Sequence, residues 1–188
     1  LLSFDRPSGA AGAEYVYEVA PVVLPREPAG GFATNGLTDM IVVGDRQFIT
    51  IERSFATGAQ TPGSPITGNS IRLYYADARG ATDVSGLDSL QGQDVVSVNK
   101  TLLLDLSTLK NEDGSALALD NIEGTTFGPT LDGKQTLILV SDNNFAGTQF
   151  TQFVALQLTS PIPEPGTYAL MLAGLGVVGV VARRRRAA

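Results

Sequence analysis

Neither histidine nor cysteine occurs anywhere in the 188 residues, so any chemistry this chain performs falls to oxygen ligands, lysine, tyrosine and arginine. That absence excludes a Ser-His-Asp triad, a thiolate nucleophile and a cysteine-based zinc site. The groups left for such work are Glu52 and Arg53, Asn121 and Glu123, and the run Asp142, Asn143 and Asn144. Each set lies at the end of an apolar, strand-like stretch. Carboxylate and amide oxygens are the donors that calcium selects, and a bound calcium can neutralise a phosphate and activate water.

Each set also has a plainer reading. Asp and Asn after a hydrophobic strand cap turns through their own backbone, so "SDNN" reads equally as a turn or as ligands. "ERS" reads as a structural Glu-Arg pair. An acidic residue at a strand entry, as in "NIEG", is a poor structural choice and points to function. "LKNEDGSALALD" has part of a calcium-loop pattern, but Leu109 stands where a carboxylate is required, so it reads as a solvent loop.

The elements that must position these residues are strands. Hydrophobic residues are 43 % and charged residues 17 %, with 21 glycines and 10 prolines. This is the balance of a folded, turn-rich β protein. Alternation predicts a strand over Tyr15 to Val19, stopped by Pro21, Pro25 and Pro28. "NGLTDMIVVGDRQFITIERSF" reads as strand, Gly-Asp turn, strand, and 58–70 as a surface loop. "SIRLYYADA" predicts another strand, "VVSVNKTLLLDLSTL" a further strand pair, and "IEGTTFGPTLDGKQTLILVSDNNF" with "TQFVALQLT" the last β block.

Two blocks repeat. Asn35–Asp39 and Asp120–Gly124 each open a strand pair that closes on a four-residue segment ending in Phe55 or Phe145. Their offset of about 85 to 90 residues predicts two blades of a β-propeller at roughly 40 to 50 residues each. The segments "LDNIEGTTFGP", "LILVSDNNF", "TQFVALQL", "ERSF" and "GATDVSGLDSL" resemble the esterase-like phytase family of bacterial β-propeller proteins, over most of Tyr15 to Leu158. The resemblance implies an all-β fold, here the C-terminal blades of a longer propeller, with strand ends converging near its axis. It also implies calcium-assisted phosphoester hydrolysis. On that reading Glu123 and Asp142 are metal ligands or the base that orients water. Asn143 and Asn144 add neutral ligands, and Arg53 clamps a phosphoryl oxygen.

The end of the chain is different in kind. Pro163-Glu164-Pro165 is followed by an uncharged span over 167–182 and then by Arg183, Arg184, Arg185 and Arg186. As a helix that span reaches roughly 24 Å, short of a bilayer core unless the flanking arginines snorkel. The order Pro-Glu-Pro, apolar span, arginine cluster resembles the PEP-CTERM sorting signal. It implies recognition by an exosortase of Gram-negative bacteria, with the arginines cytoplasmic and the body passing from the inner membrane to the cell surface or matrix. The expected organisation is therefore a β-propeller region over 1–159, a Pro-rich linker over 160–166, a transmembrane helix over 167–182 and a basic tail over 183–188. Residues 1–160 carry a formal net charge of −9, which disfavours nucleic acid and attracts cations. The rival reading is a non-catalytic surface module that binds extracellular polysaccharide.

Overall fold

The central strand of the protein alternates isoleucine with polar residues, Ile49-Thr50-Ile51-Glu52-Arg53-Ser54, and both of its faces are covered. A computed structural model describes residues 1–159. Nine strands form three antiparallel sheets, and the only helix among the described residues is a single 3₁₀ turn at Leu106–Thr108. Strands β1 (Leu2–Phe4) and β2 (Ala11–Glu14) pair as a small ribbon. A four-stranded meander follows, in the order β3 (Ala33–Gly44), β4 (Gln47–Ala56), β5 (Asn69–Asp77) and β6 (Asn99–Asp105). The third sheet is β7 (Ile122–Phe127), β8 (Thr136–Ser141) and β9 (Phe153–Gln157).

Turn chemistry sets these hairpins. Asp45-Arg46 joins β3 to β4 with Arg46 left-handed at φ 52°. The loop between β7 and β8 closes on Asp132 and Gly133, both left-handed at φ 50° and 73°, with Leu131 and Lys134 exchanging backbone hydrogen bonds. Asp-Gly in that conformation matches the right-handed twist of paired strands.

Period-two alternation sends Ile49 and Ile51 to one face of β4. There they join Ile71 and Leu73 of β5, Ile122 of β7, Leu137 and Leu139 of β8 and Val154 of β9 in one buried cluster shared by the two larger sheets. The opposite face carries Thr50, Glu52 and Ser54, all buried, and is covered by the segment 15–23. Here the structure departs from the alternation. Residues 15–20 are not a strand: among the described residues their backbone meets backbone only at Tyr15, which bonds Leu1, and at Val16 O, which accepts Val98 N–H, and its remaining bonds come from side chains. Ala20 N–H donates to Glu52 Oε2 at 3.0 Å and Val23 N–H to Ser54 Oγ at 3.0 Å.

Glu52 anchors this face. Its carboxylate accepts from Tyr17 Oη (2.9 Å), Ala20 N, Asn35 Nδ2 (2.9 Å) and Lys100 Nζ. The ammonium of Lys100 also donates to Glu18 O at 2.6 Å and lies 4.9 and 4.7 Å from the ring centres of Tyr17 and Tyr74. Taking an ion out of water costs several kcal/mol, and the pair is tolerated because every carboxylate lone pair finds a donor. Burial, reinforced by the nearby Glu52 carboxylate, pushes the Tyr17 phenol well above its usual range.

Two further expectations are corrected. "VVSVNKTLLLDLSTL" gives one strand, β6, and not a pair: Asp105 ends it by accepting Ser107 N–H at 3.0 Å and starting the 3₁₀ turn. The repeat is real but larger than read. One four-stranded sheet, not two blades, fills the 85-residue offset, because long loops at 78–98 and 109–121 lengthen the unit. β7, β8 and β9 then answer β3, β4 and β5 in order. The linker, the Pro-Glu-Pro motif, the apolar span and the four arginines lie outside the described residues. Among the described residues no helix is long and apolar enough to cross a membrane.

Replacing Glu52 by alanine strands Lys100 without its counter-ion, and urea melts should show a loss of about 3–5 kcal/mol. The double change Glu52→Gln with Lys100→Met should recover a measurable part of that loss. At the far end of the sheet, hydrogen bonds from Arg79 pull the Asp77 carboxyl down to about 2. A depressed folded-state value contributes stability above the unfolded value of about 4 and loses it as pH falls towards 2. Asp77→Asn should therefore lower Tm most at pH 7, flatten the acid limb of a Tm-against-pH curve between about pH 4 and pH 2, and leave Tm at and below pH 2 nearly unchanged.

Candidate functional site

Strands β3 and β7 each carry an irregularity at the same place in the repeat. The register slips between Leu37 and Asp39 in β3 and between Ile122 and Gly124 in β7, so Thr38 and Glu123 are the bulged residues, 85 positions apart. A bulge adds one unpaired residue, bends the strand and re-aims its side chain. The two bulges meet at the seam between the larger sheets: Thr38 Oγ1 donates to Ile122 O at 3.2 Å, and Thr125 N–H donates to Asp39 Oδ2 at 2.6 Å.

At this seam Glu123 meets Arg53. Arg53 lies on β4 opposite Gly36 of β3, and its guanidinium reaches across to the second sheet. Nη1 donates to Asn121 Oδ1, Nη2 lies 3.4 Å from Glu123 Oε1, and Asn121 Nδ2 donates to the same Glu123 oxygen at 2.8 Å. The Glu123 side chain keeps 39 % of its surface in solvent and that of Arg53 27 %, while Asn121 is buried. Arg53 Nε is buried with no hydrogen-bond partner among the described residues. A Cβ added at Gly36 would meet nothing within 4 Å, so the strand opposite Arg53 leaves open space there. The arrangement is a planar donor fork, two of whose five N–H groups face Asn121 and Glu123, beside a half-exposed carboxylate. Such a fork suits an oxyanion of a phosphate or carboxylate.

The other predicted residues fall elsewhere. Asp142 joins the site only through its backbone, whose N–H donates to Asn121 O at 3.1 Å. Its Oδ1 accepts Asn144 N–H at 3.0 Å, and Asn143 Oδ1 accepts Phe145 N–H at 3.1 Å. Asn144 Nδ2 donates to Gln149 Oε1 at 3.1 Å. These are turn-capping bonds. Nor do Glu52 and Arg53 form a pair: adjacent on one strand, they face opposite sides, Glu52 towards Lys100 and Arg53 towards Glu123.

For calcium the donor chemistry here does not fit as it stands. Asp142 Oδ1 and Asn143 Oδ1 are engaged in their own turn, and the Arg53 cation lies against Glu123 where a metal ion would compete with it. Among the described residues no three acidic side chains gather.

Comparison with known proteins then decides the family. A family model described as the esterase-like activity of phytase matches residues 1–145, over three-quarters of the chain. The chain belongs to that family. A second model, the PEP-CTERM protein-sorting motif, matches residues 161–186. No curated protein and no solved structure matches the chain. The phytase-like match spans the whole Arg53, Asn121 and Glu123 constellation, and the sorting motif implies an exported protein, sorted to the surface of a Gram-negative bacterium after processing by an exosortase.

The sequence places Arg53, Asn121 and Glu123 among the candidates, and the structure brings these three together. Asp39, which the sequence shows only as part of a repeated block, is the member that residue type does not reveal. The signal that finds it is the repeat: Asp39 follows the first bulge as Gly124 follows the second.

Proposed function

We propose that this chain is a surface-sorted phosphoester hydrolase whose Arg53 binds a phosphoryl oxygen and whose Glu123 takes a proton from the attacking water. The observation that carries the reading is the partly exposed guanidinium of Arg53 beside a half-exposed Glu123, at paired bulges inside the phytase-like part of the chain. Water adds to phosphorus, its proton passes to Glu123 Oε, and the P–O bond to the alcohol breaks, the departing alkoxide taking a proton from solvent as Glu123 later returns its own. The guanidinium balances the charge that builds on the phosphoryl oxygens. Asn121 is a positioning residue, holding the carboxylate and the guanidinium in register. Calcium can join only if the turn at Asp142 opens and its Oδ1 exchanges the Asn144 N–H for the ion.

The two larger sheets support a propeller reading. Each is an up-and-down meander, the second repeats the first in order, and their equivalent first strands β3 and β7 touch at the seam. On that reading they are neighbouring blades. Before processing, the segment 167–182 holds the body at the inner membrane with Arg183 to Arg186 on the cytoplasmic side.

Phosphate release from p-nitrophenyl phosphate and from a polyphosphorylated polyol by the full-length protein tests the site. Glu123→Gln should lower kcat by about 10²- to 10⁴-fold, the range of a general base. Arg53→Ala should raise KM as well, whereas Asp142→Asn should stay within about twofold of the parent by the bonding above. Parent-like turnover in both Glu123→Gln and Arg53→Ala would remove the site. Sorting is tested separately in cells. Deleting Pro163 to Pro165, or replacing Arg183 to Arg186 by serine, should leave the body in the membrane fraction, and normal surface delivery of both variants would defeat the address reading.

A further inference from the structure

From Asn143 to Thr159 the chain carries no charged residue, in a body whose formal net charge is otherwise strongly negative. The stretch is built from asparagine, glutamine, threonine and phenylalanine, and most of it lies beyond residue 145, where the phytase-like match ends. It forms the loop from β8 to β9 and then β9 itself.

Phe145, near the tip of this loop, is 102 % exposed, the full ring surface open to solvent, and Phe153 at the start of β9 is 72 % exposed. Burying such a ring is worth about 1.5–3 kcal/mol, which the fold forgoes here. It also spends conformational energy to do so. Asn144 and Phe145 are consecutively left-handed, at φ 48° and 54°, a conformation that costs a bulky side chain roughly 1–2 kcal/mol. Four hydrogen bonds enforce it: Asp142 Oδ1 with Asn144 N, Asn143 Oδ1 with Phe145 N, Ala146 N with Asn143 O, and Asn144 Nδ2 with Gln149 Oε1. The counterpart in the first repeat, Phe55, is treated differently: it packs against Phe32 with ring centres 6.2 Å apart.

The groups around the ring are neutral and hydrogen-bonding. Thr148 and Thr151 are exposed, and the side-chain N–H groups of Asn143 and Gln149 have no acceptor among the described residues. An apolar platform in a loop of amides and hydroxyls, with the carboxylate of Asp142 at its base as the one charge, matches the two-sided chemistry of a pyranose ring: C–H bonds on its face and hydroxyls around its edge. An anionic lipid surface offers charge that this face lacks the means to answer.

We propose that the β8–β9 loop is a binding site for a neutral polysaccharide, with Phe145 as the stacking platform and Asn143, Thr148 and Gln149 as hydrogen-bonding partners. The site shares no side chain with the Arg53 and Glu123 centre, which the loop meets at its base through Asp142 N–H and Asn121 O, so glycan binding and phosphoester turnover are separate readouts. The test is affinity electrophoresis of the full chain through gels containing hydroxyethyl cellulose, amylose, laminarin or galactomannan, with alginate as the charged comparison. Retardation by at least one neutral polymer is expected, insensitive to 0.5 M salt as a hydrogen-bonded, stacked contact should be. Phe145→Ala should weaken it at least fivefold, and Phe145→Trp should retain it. Phe145→Ala should also keep the parent's Tm and, if turnover is found, its kcat. The proposal is overturned if no neutral polymer retards the parent, if Phe145→Ala binds as the parent does, or if retention appears only on alginate and vanishes in salt. Concentration-dependent self-association abolished by Phe145→Ala, without glycan retention, would equally overturn it by making the loop a contact between copies.

Discussion

A carboxylate buried in the middle of a β-sheet has to be answered on every side, and Glu52 is answered by three parts of the chain at once. Its partners come from the irregular segment 17–20, from Asn35 on β3 and from Lys100 on β6, with Thr50 tied in through the Tyr17 hydroxyl. None of these contacts is local in sequence. The Glu52–Lys100 pair joins β4 to β6 across the intervening β5, and the Glu52–Tyr17 bond fixes the N-terminal segment to the sheet. Because a lost partner leaves an unpaired buried ion, the network permits one register and penalises its neighbours, as a slip by one residue would carry Glu52 into the isoleucine core.

The same alternation produces the candidate site. With Glu52 committed to the polar face, Arg53 must project towards the second sheet, past the last isoleucine of the shared cluster. It arrives where both sheets are bulged, and the β7 bulge turns Glu123 out to meet it. A regular β7 would present residue 123 to the face its neighbours dictate; the extra residue frees it. The site thus costs two ladder irregularities, and bulges of this kind persist where they aim a side chain.

Much of this was legible in the sequence, for reasons that separate the local from the non-local. The hairpin of β3 and β4, the β5 strand and the β7–β8 block follow from alternation and turn residues, which act within a few positions. The extended segment at Tyr15 to Val19 alternates equally well, yet it joins no sheet: isolated backbone bonds reach it from Leu1 and Val98, and side chains of β4 hold the residues that follow it, which no periodicity reveals. The size of the repeat was misjudged because loop length was counted as blade. Arg53, Asn121 and Glu123 stand out by residue type alone, but that Asn121 holds the other two in register is visible only once Arg53 and Glu123 are seen on either side of it.

Export without cysteine places one more demand on this architecture. Exported domains often hold irregular segments with disulfides, at about 2–4 kcal/mol each, and this chain has none to use. Segment 15–23 is instead stapled by Tyr17 to Thr50 and Glu52, Ala20 to Glu52 and Val23 to Ser54. Each such bond contributes about 1 kcal/mol net, somewhat more when the acceptor is ionised, so the set rivals a single disulfide. Unlike a disulfide it forms as the chain folds and needs no oxidant. The polar face of β4, which looks like a defect in a hydrophobic core, therefore does for this segment what a covalent cross-link does elsewhere.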